Sequence, residues 1–260
     1  MIAHDGTRFR VEWPKSAALV LILLNVIAYF VELVLLRAGS ELPKDLALRP
    51  AIVVHEGKVW QLVTTLFLHD PARTGHLLYN MLWLWFVTPT LESAWGKYRV
   101  YATYAASGLA GALFTVAVGS LGTYVPLFEN VWTASHMGAS GAVMGLVIAW
   151  CLMFRDQTLN LLFLGPIRGI YFLGFVVLME VLTALSYEPV SSTSHFGGMM
   201  AGAVLGLDLW RFGALKDMWR RFRLRSKKRD IEKKLTRFEV IDGGRRDRPR
   251  RGANPNDWVN

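Results

Sequence analysis

Four polar residues interrupt otherwise apolar stretches of this chain: His76 and Asn80 in one segment, Ser140 within Gly138-Ala139-Ser140-Gly141, and His195 ahead of Phe196-Gly197-Gly198. An ionisable side chain in hydrocarbon costs at least a few kcal/mol unless partnered, so each is a functional candidate by default. Their types form a set. A hydroxyl nucleophile, an imidazole base and two hydrogen-bond donors are the groups that acyl transfer requires. Neutral His195 would take the Ser140 Oγ proton during attack and return it to a leaving amine. His76 and Asn80 are four residues apart and share a helical face. With the Ser140 backbone N–H they would donate to a carbonyl oxygen turning tetrahedral, each donor worth about 3 kcal/mol.

Each residue also has a plainer explanation. Ser140 with Gly141 and Gly145 forms a small-residue packing face, and Asn and His serve as hydrogen-bonding glue between membrane helices. His136, the histidine nearest Ser140 in sequence, reads as a solvated loop residue. What favours chemistry is a second stripe of glycines. Gly198, Gly202 and Gly206 follow His195 at four-residue spacing and strip one helix face of side chains. Pressed against Gly141 and Gly145, that face would bring His195 within reach of Ser140. Asp208 is thirteen residues beyond His195, roughly 20 Å along a helix, so Ser140 and His195 are expected to act as a dyad. Glu180 and Glu32 are expected to stabilise helix packing rather than take part in catalysis.

The elements that must position these groups are helices in lipid. Hydrophobic residues make up 53% of the 260-residue chain, and the mean hydropathy is +0.30. Six apolar runs lie near 17–36, 76–95, 98–118, 140–154, 167–186 and 193–212, and crossing ~30 Å of hydrocarbon takes about 20 helical residues. Backbone amides in hydrocarbon have no water to bond, and the alternation of a lipid-facing barrel strand is absent. The fold class is therefore all-α, a polytopic membrane protein of six helices. The fourth run is short, about 22 Å between Ser140 and Arg155. Ser140 should thus start a helix below the outer surface, and the loop from 119 to 139 should dip into the bundle, facing protein or a watery cavity. The loop from 37 to 75 carries Trp60 and many apolar residues and suits the outer interface.

From Arg211 onward there are 17 Lys and Arg against 7 Asp and Glu, a net of +10, whereas residues 1–210 carry 12 against 13, a net of −1. Dense positive charge beyond a last helix marks the cytoplasmic side, and an even number of spans puts the N-terminus there too. The expected organisation is a cytoplasmic segment 1–16, a membrane domain 17–212 and a basic, partly disordered tail 213–260. The first run is too long for the apolar region of a signal peptide and reads as an uncleaved helix. The tail is expected to meet anionic lipid rather than nucleic acid. Cys151 is the only cysteine, so no intrachain disulfide and no cysteine-based metal site can form.

His76-x-x-x-Asn80, Gly138-x-Ser140-Gly141-x-x-x-Gly145 and His195-x-Gly197-Gly198, in that order on separate helices, resemble the rhomboid intramembrane serine proteases. The likeness covers about residues 17–212, with Trp60, His69 and the turn from Phe163 to Arg168 included. It implies a six-helix protease of the inner membrane, with both termini cytoplasmic, that cuts single-pass transmembrane substrates near the outer ends of their helices without metal or cofactor. Ser140 would be the nucleophile, His195 the base, and His76 and Asn80 the oxyanion donors. Two positions depart from the family pattern: Met144 stands where an aromatic residue often stacks on the catalytic histidine, and Gln61 follows Trp60 where arginine is typical. The alternative is an inactive rhomboid-like chaperone or adaptor, similar to the derlins, which generally lack the dyad.

Overall fold

The computed structural model describes residues 16–161, 165–185 and 189–209, and a few positions between 220 and 231. The chain divides into two compact units, Met1–Phe212 and Gly213–Asn260. Among the described residues of the first, six helices of fourteen residues or more follow in order: α1 (Ala17–Arg37), α2 (Thr74–Trp95), α3 (Lys97–Leu121), α4 (Ser140–Met153), α5 (Gly169–Leu185) and α6 (Pro189–Gly206). Among the described residues α1 and α3 are long and apolar enough to cross a membrane on their own account, and α4 and α5 are apolar but shorter.

The expected helical bundle is present, with two of the six expected spans, α1 and α3, meeting the length and apolarity that crossing requires, and all-α has one exception. Thr158–Leu161 and Gly165–Arg168 pair as an antiparallel two-stranded hairpin ahead of α5. The expected bounds of α6 also shift, from 193–212 to 189–206. Proline fits the first helical position, where its missing N–H leaves nothing unpaired, so the helix opens at Pro189 and His195 lies inside it rather than at its start. It closes where Asp208 adopts a left-handed φ of 56°. Leu209 N–H then reaches Val204 O and Asp208 N–H reaches Leu205 O, a Schellman pattern that serves the last carbonyls. Arg99 of α3 completes this end, donating to Leu205 O at 3.0 Å and pairing with Asp208 at 2.6 Å.

α4 is apolar on every side and almost wholly buried, as such a helix must be. α3 and α6 flank it, and glycine decides how closely. A Cβ on Gly198 would land on the Gly141 carbonyl, one on Gly202 on the Gly145 backbone, and one on Gly206 would lie 2.9 Å from the Ala149 Cα. The expected glycine stripe thus meets the expected surface of α4, main chain on main chain. In contrast, α1 and α5 turn Leu23, Ile27, Phe30, Val34, Tyr171, Leu178 and Leu182 outward. A water-soluble bundle does not expose so much contiguous apolar surface.

Single polar contacts tie the helices together, the form of glue expected where water cannot compete. Asn25 of α1 donates to Tyr104 of α3 at 3.0 Å, Trp150 of α4 to Thr90 of α2 at 2.7 Å, and Thr115 of α3 bonds Thr193 of α6 at 3.0 Å. At the start of α1, the Glu92 carboxylate accepts from the Ala17 N–H at 2.9 Å, a negative group at the positive end of a helix.

Candidate active site

α4 begins at Ser140, with Ala139 as its N-cap. The first N–H groups of a helix have no partner within it, so the Ser140 N–H is available beside its own hydroxyl. Ser140 lines a cavity of about 350 Å³ together with Asp70, Arg73, His76, Gly138 and Ser194 among others. The expected helix start at Ser140, facing a hollow, corresponds to this arrangement.

The loop that frames the cavity is stitched to the segment ahead of α2. Leu48 and His136 form a β-bridge, the Thr65 hydroxyl donates to His136 O at 2.7 Å, and Gly138 N–H donates to Thr65 O at 3.0 Å. His136 is therefore not solvated as expected: it is buried, and its Nε2 bonds Val131 O at 2.9 Å. Gln61 is also fully buried, accepting from Arg49 N–H at 3.0 Å and donating to Asp45 O at 2.9 Å. Glutamine at this position thus holds the loop ahead of α2 by an acceptor as well as a donor. Gly138 has φ +138°, and a Cβ there would stand 2.7 Å from the His76 ring. Any other residue would both strain the backbone and displace His76.

His195 sits on α6 next to Ser194, whose carbonyl lies 2.9 Å from where a Gly141 Cβ would be. The close α4–α6 contact therefore brings the chain at Ser140 and the chain at His195 to one level. His195 Nδ1 is 2.9 Å from Glu180 Oε1 of α5, and His195 Nε2 is buried with no hydrogen-bond partner. No hydrogen bond joins His195 to Ser140: Nδ1 is engaged by Glu180 and Nε2 has no partner. Glu180 is the residue that sequence reasoning left out of the site. Its signal was present: it is the one charged side chain in α5, and a charge in such a helix needs a partner.

His76 and Asn80 share a face of α2 and both meet His69, whose ring stands edge-on to that of His76 with centroids 5.7 Å apart. His76 lines the cavity, while Asn80 is buried and its Nδ2 donates to His69 Nε2 at 3.2 Å. His69 Nδ1 faces Phe67 O at 3.4 Å, and the His69 N–H donates to Glu32 at 3.0 Å. These contacts make His69 neutral with its proton on Nδ1 and its Nε2 lone pair turned to Asn80. Glu32 does serve packing, by fixing the residue that fixes Asn80.

Burial, aided by the neighbouring His76, pulls the His69 pKa down to about 4. The unfolded chain binds this proton near pH 6.5 and the folded chain resists it, so stability is full above pH 6.5 and falls as pH drops towards about 4. The expected loss is roughly 3 kcal/mol. Melting of the detergent-solubilised protein across this range should show it, and His69→Gln should flatten the slope. An unchanged slope would refute the assignment.

Comparison with known proteins agrees in extent and kind. The Rhomboid domain family matches residues 56–212, more than half of the chain. Rhomboid protease AarA of Providencia stuartii is 28% identical over 210 residues, covering 74% of this chain and 72% of that protein. Rhomboid-like protease 3 of Toxoplasma gondii is 25% identical over 207 residues, covering 75% and 69%. RHOMBOID-like protein 2 of Arabidopsis thaliana is 33% identical over 173 residues, covering 66% of this chain and 49% of that protein. With a helical bundle that turns apolar residues outward and a polar cavity at the start of its central helix, the chain belongs to the rhomboid family of integral membrane proteins.

Proposed function

We propose that this protein is an intramembrane serine endopeptidase that hydrolyses a peptide bond in the transmembrane segment of a single-pass substrate, with all six long helices crossing the bilayer and both termini in the cytoplasm. Ser140 Oγ attacks the scissile carbonyl carbon while His195 Nε2 takes its proton. The carbonyl π electrons move to oxygen, where the Ser140 N–H and His76 donate to the oxyanion. Asn80 joins them by turning its amide, or acts by fixing the α2 face that carries His76. Collapse breaks the C–N bond, His195 returns the proton to the departing amine, and a water activated by His195 releases the acyl group as a carboxylic acid. No cofactor enters this reaction.

The observation that carries the reading is a hydroxyl at the first turn of a buried helix, opening on a cavity, with an imidazole on the neighbouring helix whose Nε2 has no hydrogen-bond partner. Relatives named as proteases support it. The test is a serine-directed fluorophosphonate on the purified protein, alongside cleavage of a reconstituted transmembrane substrate. Labelling at Ser140 with cleavage is expected; neither would favour a client-holding scaffold of the derlin kind.

The basic segment beyond Arg211 is proposed to lie on the anionic inner leaflet. In inverted vesicles trypsin should remove it, and more slowly when the lipid is anionic. Removal only from right-side-out vesicles would overturn the orientation, and rates indifferent to lipid charge would overturn the contact.

A further inference from the structure

We infer that Glu180 is a positioning residue for His195, so that the proposed site works as Ser140, His195 and Glu180 rather than as a pair; this rests on the peptidase reading given above. Glu180 is buried on α5, and its carboxylate oxygen stands 2.9 Å from His195 Nδ1. An ionised carboxylate only accepts, so the contact requires a proton on Nδ1. The other nitrogen then carries the lone pair. Nε2 is the buried atom left without a partner, and it is on the residue next to the Ser194–Gly141 contact. One acid thereby selects the tautomer that can receive the serine proton and offsets the charge that forms when it does.

A purely structural bond between α5 and α6 would not need this polarity. Within the bundle Asn25 to Tyr104 and Thr115 to Thr193 join helices by neutral groups, and the charged contacts of Glu92 and Arg99 lie at helix ends. Besides Glu180, His76 of α2 is the titratable side chain that interacts with His195. α3 and α4 present Gly111 and Gly141 to the Ser194 carbonyl, with nothing to titrate. The tautomer is therefore set from α5.

The decisive variant is Glu180→Gln, which keeps the shape and can turn its amide N–H towards Nδ1, favouring a proton on Nε2. Two readouts are taken on the full-length protein. In the first, ¹⁵N chemical shifts of histidine-labelled wild type are expected to show a protonated Nδ1 and an unprotonated Nε2 at His195, with the proton moving in Glu180→Gln. In the second, kcat for a transmembrane substrate falls about 10²- to 10⁴-fold in Glu180→Gln while KM stays within about twofold. Glu180→Leu should behave alike, and if it does not fold Glu180→Gln carries the test alone. A shift spectrum and a kcat both unchanged in a folded Glu180→Gln would overturn the inference. The spectroscopic arm needs no turnover: wild type that cleaves nothing while its His195 tautomer still depends on Glu180 defeats the peptidase reading alone. Wild type that cleaves, beside a Glu180→Gln that matches it in both readouts, defeats this inference alone.

Discussion

Ser140→Ala and His195→Ala each abolish cleavage of a transmembrane substrate in proteoliposomes, with an expected loss of about 10⁴-fold or more. Ser140→Ala trims a side chain beside an existing cavity and should leave melting little changed, whereas His195→Ala also strips the buried Glu180 of its partner and should lower the melting temperature. The double variant should be no worse than the poorer single one, because a nucleophile without its base and a base without its nucleophile fail at the same step. His76→Ala should cost less, about 10²-fold in kcat, since it removes one oxyanion donor of several. Asn80→Ala is expected to lower stability as well, because it strips the buried His69 Nε2 of its side-chain donor. Turnover by Ser140→Ala above about 1% of wild type would defeat the nucleophile assignment.

Gly198→Leu is expected to disable the protein through its backbone. Even the first carbon of the new side chain falls on the Gly141 carbonyl, and a main-chain atom in the buried α4 cannot swing aside as a side-chain tip would. The helices must part, at a cost of about 3 kcal/mol or more. Fluorophosphonate labelling of Ser140 should vanish with the separation, even in molecules that keep their helical content. The control is Gly174→Leu on α5, where a Cβ meets nothing within 4 Å and melting should not move. Equal melting temperatures for the two variants would show that the glycine contact does not hold α4 to α6.

What could be foreseen about this site follows from geometry inside single helices. Residues four apart share a face, so the stripe from Gly198 to Gly206 and its fit to Gly141 and Gly145 were legible, as was the placement of Ser140 at a helix start, from the shortness of the apolar run. Partners chosen across helices were not. Nothing in the spacing of Glu180 and His195 tells that α5 and α6 set them opposite one another. Nor does the sequence announce that Asn80 spends its amide on His69, or that His136 is drawn into a bridge with Leu48. The hairpin before α5 escaped because four-residue strands carry too little period to separate from a loop.

Because the α4–α6 contact is made of main chain, it freezes no rotamers, and the heights of Ser140 and His195 are fixed without side-chain entropy. The imidazole has in turn surrendered its rotation to Glu180. Of the soft torsions that could misalign the proposed pair, one is left, χ1 of Ser140, with three staggered wells to choose from. In the proposed reaction a bound peptide would bias that rotor.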